Sequence, residues 1–346
     1  MVAYIHIICG RSKAYMEKKK KVIASLISFA VIFAALLLIA TFFDLQISRF
    51  LTKGILEPGM YDTNNSFGAF FEIVGDSPVE IMLAFAIDII FVYAFRFKEG
   101  AAKKVLLIIS GIFSVVPGFV LSLIVFDRVK PHVLYGVDAE LSTGAYLQLT
   151  YLFFGVVFAV LGILAVNNFS DESIKKLLRF AVATIVFAAV STIAINLGIK
   201  EIFGRMRFRA MNVNPDDETI GFAAYSRWYE IKGHTVSDET MMKAFGHTDA
   251  NKSFPSGHTG AAGTSYALIM LNSVLKPQKK SVRAAMWILP VTFTGLVALS
   301  RIMVGAHFMS DVLMGGTLSF VLMIIAREII VLKGENLKAL KSGGKK

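Results

Sequence analysis

The chain has 346 residues, of which 55% are hydrophobic and only 18% charged, and its mean hydropathy is +0.63. Soluble chains carry about 25% charged residues, so an ordinary water-soluble domain is excluded and a membrane-embedded chain is expected. The net charge of +11 raises nucleic acid as a partner, and the one cysteine, Cys9, precludes an intramolecular disulfide.

Apolar runs of about 18 residues or more read as membrane spans. Eight candidates follow in chain order: 22–43, 79–95, 105–126, 145–166, 180–199, 259–275, 284–300 and 311–332. The first is too long for a signal-peptide core and is expected to remain as an anchor. After it, Ile47, Leu51 and Ile55 recur at i, i+4 and i+8 in "DLQISRFLTKGIL", which predicts an interfacial helix. Asp88 stands inside the second span, and an intramembrane carboxylate is a functional candidate.

The basic residues alternate with the spans. With the N-terminus inside, the inner segments hold Arg11, Lys13 and Lys18 to Lys21, then Arg96, Lys98, Lys103 and Lys104. Lys175, Lys176 and Arg179 follow, then Lys276, Lys279, Lys280 and Arg283, and the lysines after 332. Short outer loops hold only Arg49, Lys53, Arg128, Lys130 and Arg301. This positive-inside bias predicts both termini in the cytoplasm. It also accounts for the basic runs as topology signals and lipid contacts, not nucleic-acid contacts.

One outer loop departs from the bias. Residues 200–258 carry Lys200, Arg205, Arg207, Arg209, Arg227, Lys232, Lys243 and Lys252, four of them within "IKEIFGRMRFRAM". Long loops tolerate such charge, yet the cluster at one helix end suits an anionic ligand. The remainder of the loop has no regular period and reads as a small surface cap.

Three polar groupings project to the same outer face. Lys200 and Arg207 are seven residues apart, nearly two turns, so they share a stripe if that segment is helical, while Arg205 points elsewhere. "FPSGHTGAAGTSYA" places Ser256, Gly257 and His258 at the start of a small-residue helix, whose free amides and dipole attract anions. In "SRIMVGAHFMSD", His307 and Asp311 stand at i, i+4, where a carboxylate on one ring nitrogen fixes the tautomer and activates the other. Gly305 implies a turn that brings Arg301 back toward them. Cations and amides of this kind neutralise phosphoryl oxygens, one imidazole attacks phosphorus and the other protonates the leaving oxygen. No Asp, Glu and His cluster has metal-ligand spacing, and His132, His234 and His247 read as isolated loop residues. Neither metal nor cofactor is expected.

K-x6-R, P-S-G-H and S-R-x5-H-x3-D, in this order, resemble the type 2 phosphatidic acid phosphatase superfamily, whose relatives include glucose-6-phosphatase and the vanadium haloperoxidases. The resemblance spans roughly 145–332. It implies an all-α polytopic bundle of about eight transmembrane helices, a six-helix phosphatase core plus two N-terminal helices. The chain then divides into a basic N-terminus (1–21), N-terminal transmembrane helices (22–144), the core with its outer loop (145–332) and a basic tail (333–346). By the resemblance His307 is the nucleophile, His258 the general acid and Asp311 the residue orienting His307. Lys200, Arg207, Arg301, Ser256 and Gly257 hold the phosphate. One departure is Phe208, where the family motif has proline.

The expected activity is metal-independent hydrolysis of a lipid phosphate or diphosphate on the outer leaflet of a bacterial plasma membrane, through a phosphohistidine. Phosphatidic acid, phosphatidylglycerophosphate and polyprenyl diphosphate are the candidate substrates. Phosphate transfer to another lipid, hydrolysis of a sugar phosphate, and non-catalytic binding of anionic lipid are the alternatives.

Overall fold

The computed structural model describes residues 2–63, 65–133, 145–233 and 236–336, and among these it is helical with no strand. Thirteen α-helices follow in order: α1 Val2–Thr52, α2 Ser66–Val74, α3 Ser77–Phe97, α4 Gly100–Val133, α5 Ala145–Asn167, α6 Asp171–Thr192, α7 Lys200–Phe203, α8 Phe208–Val213, α9 Asp238–Phe245, α10 Gly257–Ala262, α11 Ala267–Leu275, α12 Lys280–Met303 and α13 Met309–Ala326.

Among the described residues seven stretches are long and apolar enough to cross a membrane, which marks a multi-pass membrane protein: Ile23–Thr52, Ser66–Phe97, Gly100–Val129, Leu147–Asn167, Asp171–Phe203, Lys280–Met303 and Met309–Val331. The expected span at 259–275 is absent from that set because no single helix runs through it. α10 tightens into a 3-10 turn at Gly263–Tyr266 before α11 resumes. The cause is local: Ser319 of α13 donates its hydroxyl to the Gly260 carbonyl at 2.8 Å, and shares a 2.8 Å bond with Ser191 of α6. Small residues let α10 sit this close to α13.

The interfacial helix expected after the first span is not a separate element. Nothing between residues 43 and 52 breaks a helix, so α1 continues to Thr52 and ends ahead of Gly54, whose φ is +72°. Its buried stripe there is polar: Asp44, Ser48 and Thr52, four residues apart, are all buried while Phe42, Phe43 and Phe50 face outward. In a lipid-covered bundle the apolar face has no reason to hide.

Two cores organise the rest. Ile89 and Val92 of α3, Leu177, Phe180 and Phe187 of α6, Ile269 and Met270 of α11 and Met323 of α13 form the centre of the bundle. A second core lies under the 200–258 loop, where Met206, Phe208, Met211, Met241 and Phe245 close over Leu56, Tyr61 and Phe308. The loop without a sequence period is therefore a folded cap. Phe208 takes the first position of α8, the helical position that suits proline best. Its backbone serves the same turn, and its ring adds to the cap core, 5.3 Å from Phe222. Asp88 is buried between helices against Gly162 of α5.

Candidate active site

The sequence-predicted residues converge where the C-terminal ends of α1 and α12 meet the N-terminal ends of α3, α10 and α13. The Lys200–Arg207 segment is not one helical stripe. α6 widens into a π-helical turn at Ile193–Ile199, α7 follows from Lys200, and Gly204 reverses the chain at φ +60°. A side chain at 204 would collide with the backbone of Gly233. Arg207 is then extended (φ −73°, ψ 148°) and caps α8. The charges of Lys200 and Arg207 still act on the same imidazole, that of His307.

Lys200 approaches the second motif at a glycine. A Cβ on Gly257 would stand 3.0 Å from Lys200 Nζ and 2.7 Å from Asn196 Oδ1, so only glycine admits both side chains. Ser256 is the N-cap of α10, its Oγ accepting from Thr259 N at 3.3 Å and from the Thr259 hydroxyl at 3.0 Å. Its own amide donates to the Asp311 carbonyl at 3.0 Å, locking the turn onto α13. His258, in the first turn, has a buried Nε2 with no hydrogen-bond partner among the described residues; Asp76 Oδ2 stands 3.7 Å away.

The third motif bends as its glycine implies. α12 ends at Met303, Gly305 turns at φ +66°, and the Ala306 and His307 amides both donate to the Arg301 carbonyl. His307 thus precedes α13, and the helical i, i+4 relation to Asp311 does not apply. His307 Nδ1 makes its hydrogen bond to the Ser253 carbonyl at 2.7 Å, while Asp311 Oδ2 stands 3.8 Å from it. Burial pushes this imidazole down to about 3; the Asp311 side chain opposes that, and Arg207 and Lys200 reinforce it.

Asp311 is held from other sides. Its Oδ2 accepts from Ser253 Oγ at 2.5 Å and from the Phe308 amide at 2.8 Å, and its Oδ1 from Arg205 at 2.5 Å. Arg205, expected to point away, is only 1% exposed. It also bonds Ser310 Oγ (2.7 Å), the Ser226 carbonyl (2.9 Å) and, on α1, Asp44 Oδ2 (3.0 Å), with its guanidinium 4.1 Å over the Phe308 ring. Burial alone lowers an arginine's pKa; here Asp311 and Asp44 outweigh it and hold Arg205 above its ordinary value.

Arg207, Arg301 and Asp76 each have a partner the sequence did not reveal. Arg207 is bonded to Asp249 through its carbonyl (3.0 Å) and carboxylate (2.6 Å). Burial raises the Asp249 carboxyl, but Arg207, Arg209 and His247 hold it below the usual range. Arg301 reaches Glu72 at 3.0 Å and the Gly68 carbonyl of α2. Asp76, at the start of α3, pairs with Arg128 at 2.6 Å and faces His258. Glu72 and Asp249 lie on the wall of a polar cavity of about 670 Å³, which Asp62, Asp127, Arg128 and Arg209 also line. His247 lines it too, stacked 4.6 Å from Tyr61, so it is not isolated. The side chains of His132 and His234 lie outside the described residues. A second, apolar cavity of about 620 Å³ runs between α3, α4 and α6 and reaches Thr192 and Ile193, at the start of the turn that carries Asn196 and Lys200.

Among the described residues no three His, Cys, Asp or Glu side chains gather so as to hold a metal ion. No curated protein and no solved structure matches the chain. A family model does, that of the PAP2 superfamily, over residues 177–334. This segment runs from α6 through α13 and contains the Lys200, His258 and His307 groupings. Over residues 177–334 the chain is therefore similar to the PAP2 superfamily, a family that includes phosphatases of lipid phosphates.

Proposed function

We propose that the protein is a phosphatase of a lipid phosphate or diphosphate in which His307 is the nucleophile. The observation that carries this reading is the hydrogen bond from His307 Nδ1 to the Ser253 carbonyl. A carbonyl only accepts, so Nδ1 holds the proton and Nε2 carries the free lone pair. The charges of Lys200 and Arg207 act on that ring, and such cations suit a phosphoryl group.

The phosphoryl oxygens take Lys200, Arg207, Arg301 and the amides of the Ser256–His258 turn. Arg207 and Arg301 exchange their present partners, Asp249 and Glu72, for substrate. Nε2 of His307 forms a bond to phosphorus as the bond to the leaving oxygen breaks, and His258 delivers a proton to that oxygen. Water, its proton drawn off by His258, then attacks the phosphohistidine; the P–N bond breaks, inorganic phosphate leaves and His307 is restored. Asp311 acts on His307 through Ser253 and as a nearby charge.

The apolar cavity between α3, α4 and α6 supports a lipid substrate, because its lining is almost wholly apolar and reaches Thr192 and Ile193, on the same chain segment as Lys200. The polar cavity beside Arg207 and Arg301 favours a second reading, a water-soluble phosphomonoester such as a sugar phosphate. With the positive-inside rule, the site faces the outer leaflet.

Detergent-purified protein, with chelator present, tests these readings by phosphate release from phosphatidic acid, phosphatidylglycerophosphate, a polyprenyl diphosphate and glucose 6-phosphate. Turnover of a lipid substrate that is lost in His307→Ala is expected. Equal turnover by His307→Ala would overturn the nucleophile assignment, and preference for glucose 6-phosphate would favour the second reading.

A further inference from the structure

We propose that Asp44, on the first helix and outside the family segment, is a positioning residue for reaction at His307, acting through Arg205 and Asp311. This rests on the phosphohistidine reading above. A continuous path of contacts joins the two ends: Asp44 Oδ2 to Arg205 at 3.0 Å, Arg205 to Asp311 Oδ1 at 2.5 Å, Asp311 Oδ2 to Ser253 Oγ at 2.5 Å, and the Ser253 carbonyl to His307 Nδ1 at 2.7 Å. Asp44, Arg205, Asp311 and His307 are each no more than 2% exposed. Water therefore does little to screen them from one another.

Two physical effects follow from the placement of Asp44. The first is orientation. Asp44 Oδ1 accepts from the Ser310 amide at 2.9 Å, and its Oδ2 takes the Ser310 hydroxyl. Ser310 is in the first turn of α13, so α1 fixes the helix end from which Asp311 projects. The second is charge. One guanidinium is shared between two carboxylates, leaving the cluster with an excess negative charge on the Nδ1 side of the imidazole. When Nε2 bonds to phosphorus, the ring gains positive charge, and that excess favours the transition state over the resting enzyme. Without Asp44, Arg205 and Asp311 form a neutral pair and the stabilisation falls away.

The PAP2 segment begins at residue 177, so nothing within it supplies this group. α1 also holds the cap, since Thr41 Oγ accepts from Trp228 Nε1 at 2.9 Å. Helix α1 is thereby part of the catalytic apparatus rather than an anchor beside it.

The experiment uses the full chain in detergent, each variant checked by size-exclusion chromatography. Wild type and His307→Ala come first: a wild type without phosphatase activity would sink the functional reading whatever Asp44 does. With an active wild type, the isosteric Asp44→Asn is expected to lower kcat about tenfold or more while KM changes less than about threefold. Arg205→Met leaves Asp44 and Asp311 as two unscreened carboxylates. Adding Asp44→Asn to it is expected to recover kcat by about threefold or more, a reversal that a packing role would not produce. Wild-type kcat in Asp44→Asn, or the same fractional loss with and without Arg205, overturns the proposal. Should Arg205→Met fail to fold, the rate of phosphoenzyme formation in Asp44→Asn decides. Slowing matched to kcat supports the positioning role, and an unchanged rate overturns it.

Discussion

The Nδ1 of His307 is hydrogen-bonded at 2.7 Å to a backbone carbonyl, that of Ser253, and not to the carboxylate of Asp311. A carbonyl cannot take the ring's proton, so the bond sets the tautomer without creating a competing acid. Burial, reinforced by the charges of Arg207 and Lys200 and opposed by Asp311, holds the imidazole neutral down to about 3. An ordinary histidine titrates near 6.5. The ring is therefore expected to keep its neutral nitrogen-15 shifts from pH 8 to pH 5 in selectively labelled protein. A midpoint near 6.5 for His307 would contradict the assignment. The linkage has the same sign: a depressed folded value makes acid destabilising. Between about 6.5 and 3 the unfolded chain binds a proton that the folded chain does not.

Asp249 and Glu72 occupy the arginines that the proposed reaction assigns to phosphate. Removing either charge relieves a competition for those arginines. Asp249→Asn and Glu72→Gln are expected to tighten inhibition by inorganic phosphate about three- to tenfold, since partly exposed pairs are worth about 1 kcal/mol. Inhibition constants measured across the variants check this; unchanged or weaker inhibition would show that the carboxylates do not compete.

Gly257 admits Lys200 Nζ and Asn196 Oδ1 to the start of α10. Gly257→Ala displaces the ends of two side chains rather than any backbone, so its thermal midpoint is expected to stay within a few degrees of wild type. Its kcat/KM should fall about tenfold or more, because a misplacement near 1 Å is costly at a reacting centre. Thermal unfolding and initial-rate kinetics on one preparation separate the two effects.

Phe208 does in the cap what a proline cannot. Phe208→Ala empties a buried site, and a change of this type costs about 3–5 kcal/mol. The cap should then open more readily to limited proteolysis, with cleavage between residues 214 and 250. Phe208→Pro should keep the turn and still show that sensitivity, because the lost ring is the cause.

The apolar runs were legible because bilayer thickness dictates their length, and the three motifs because their residue types are costly at a membrane surface. What periodicity could not supply was the path of the chain between them. Gly204 and Gly305 replace helical geometry with turns, so Lys200–Arg207 and His307–Asp311 meet for reasons other than helical spacing. Arg205 looked like a bystander because its two carboxylates lie 161 and 106 residues away. Asp44 carried one sign of its role, four residues before Ser48 and eight before Thr52. Such a polar stripe on an otherwise apolar helix reads as the inward face once lipid is taken as the solvent. Glu72, Asp76 and Asp249 had none, since ion pairs between distant loops and helix ends leave no local pattern.

The salt bridge between Asp44 and Arg205 bears on how such a chain can be taken apart. A fragment beginning at residue 177 would retain every motif residue, yet Arg205 and Ser310 would lose the carboxylate that both of them bond. Transplanting the segment onto foreign membrane helices would carry over the reactive groups and leave their countercharge behind. The unit that can be inherited or exchanged intact is larger than the stretch by which kinship is recognised.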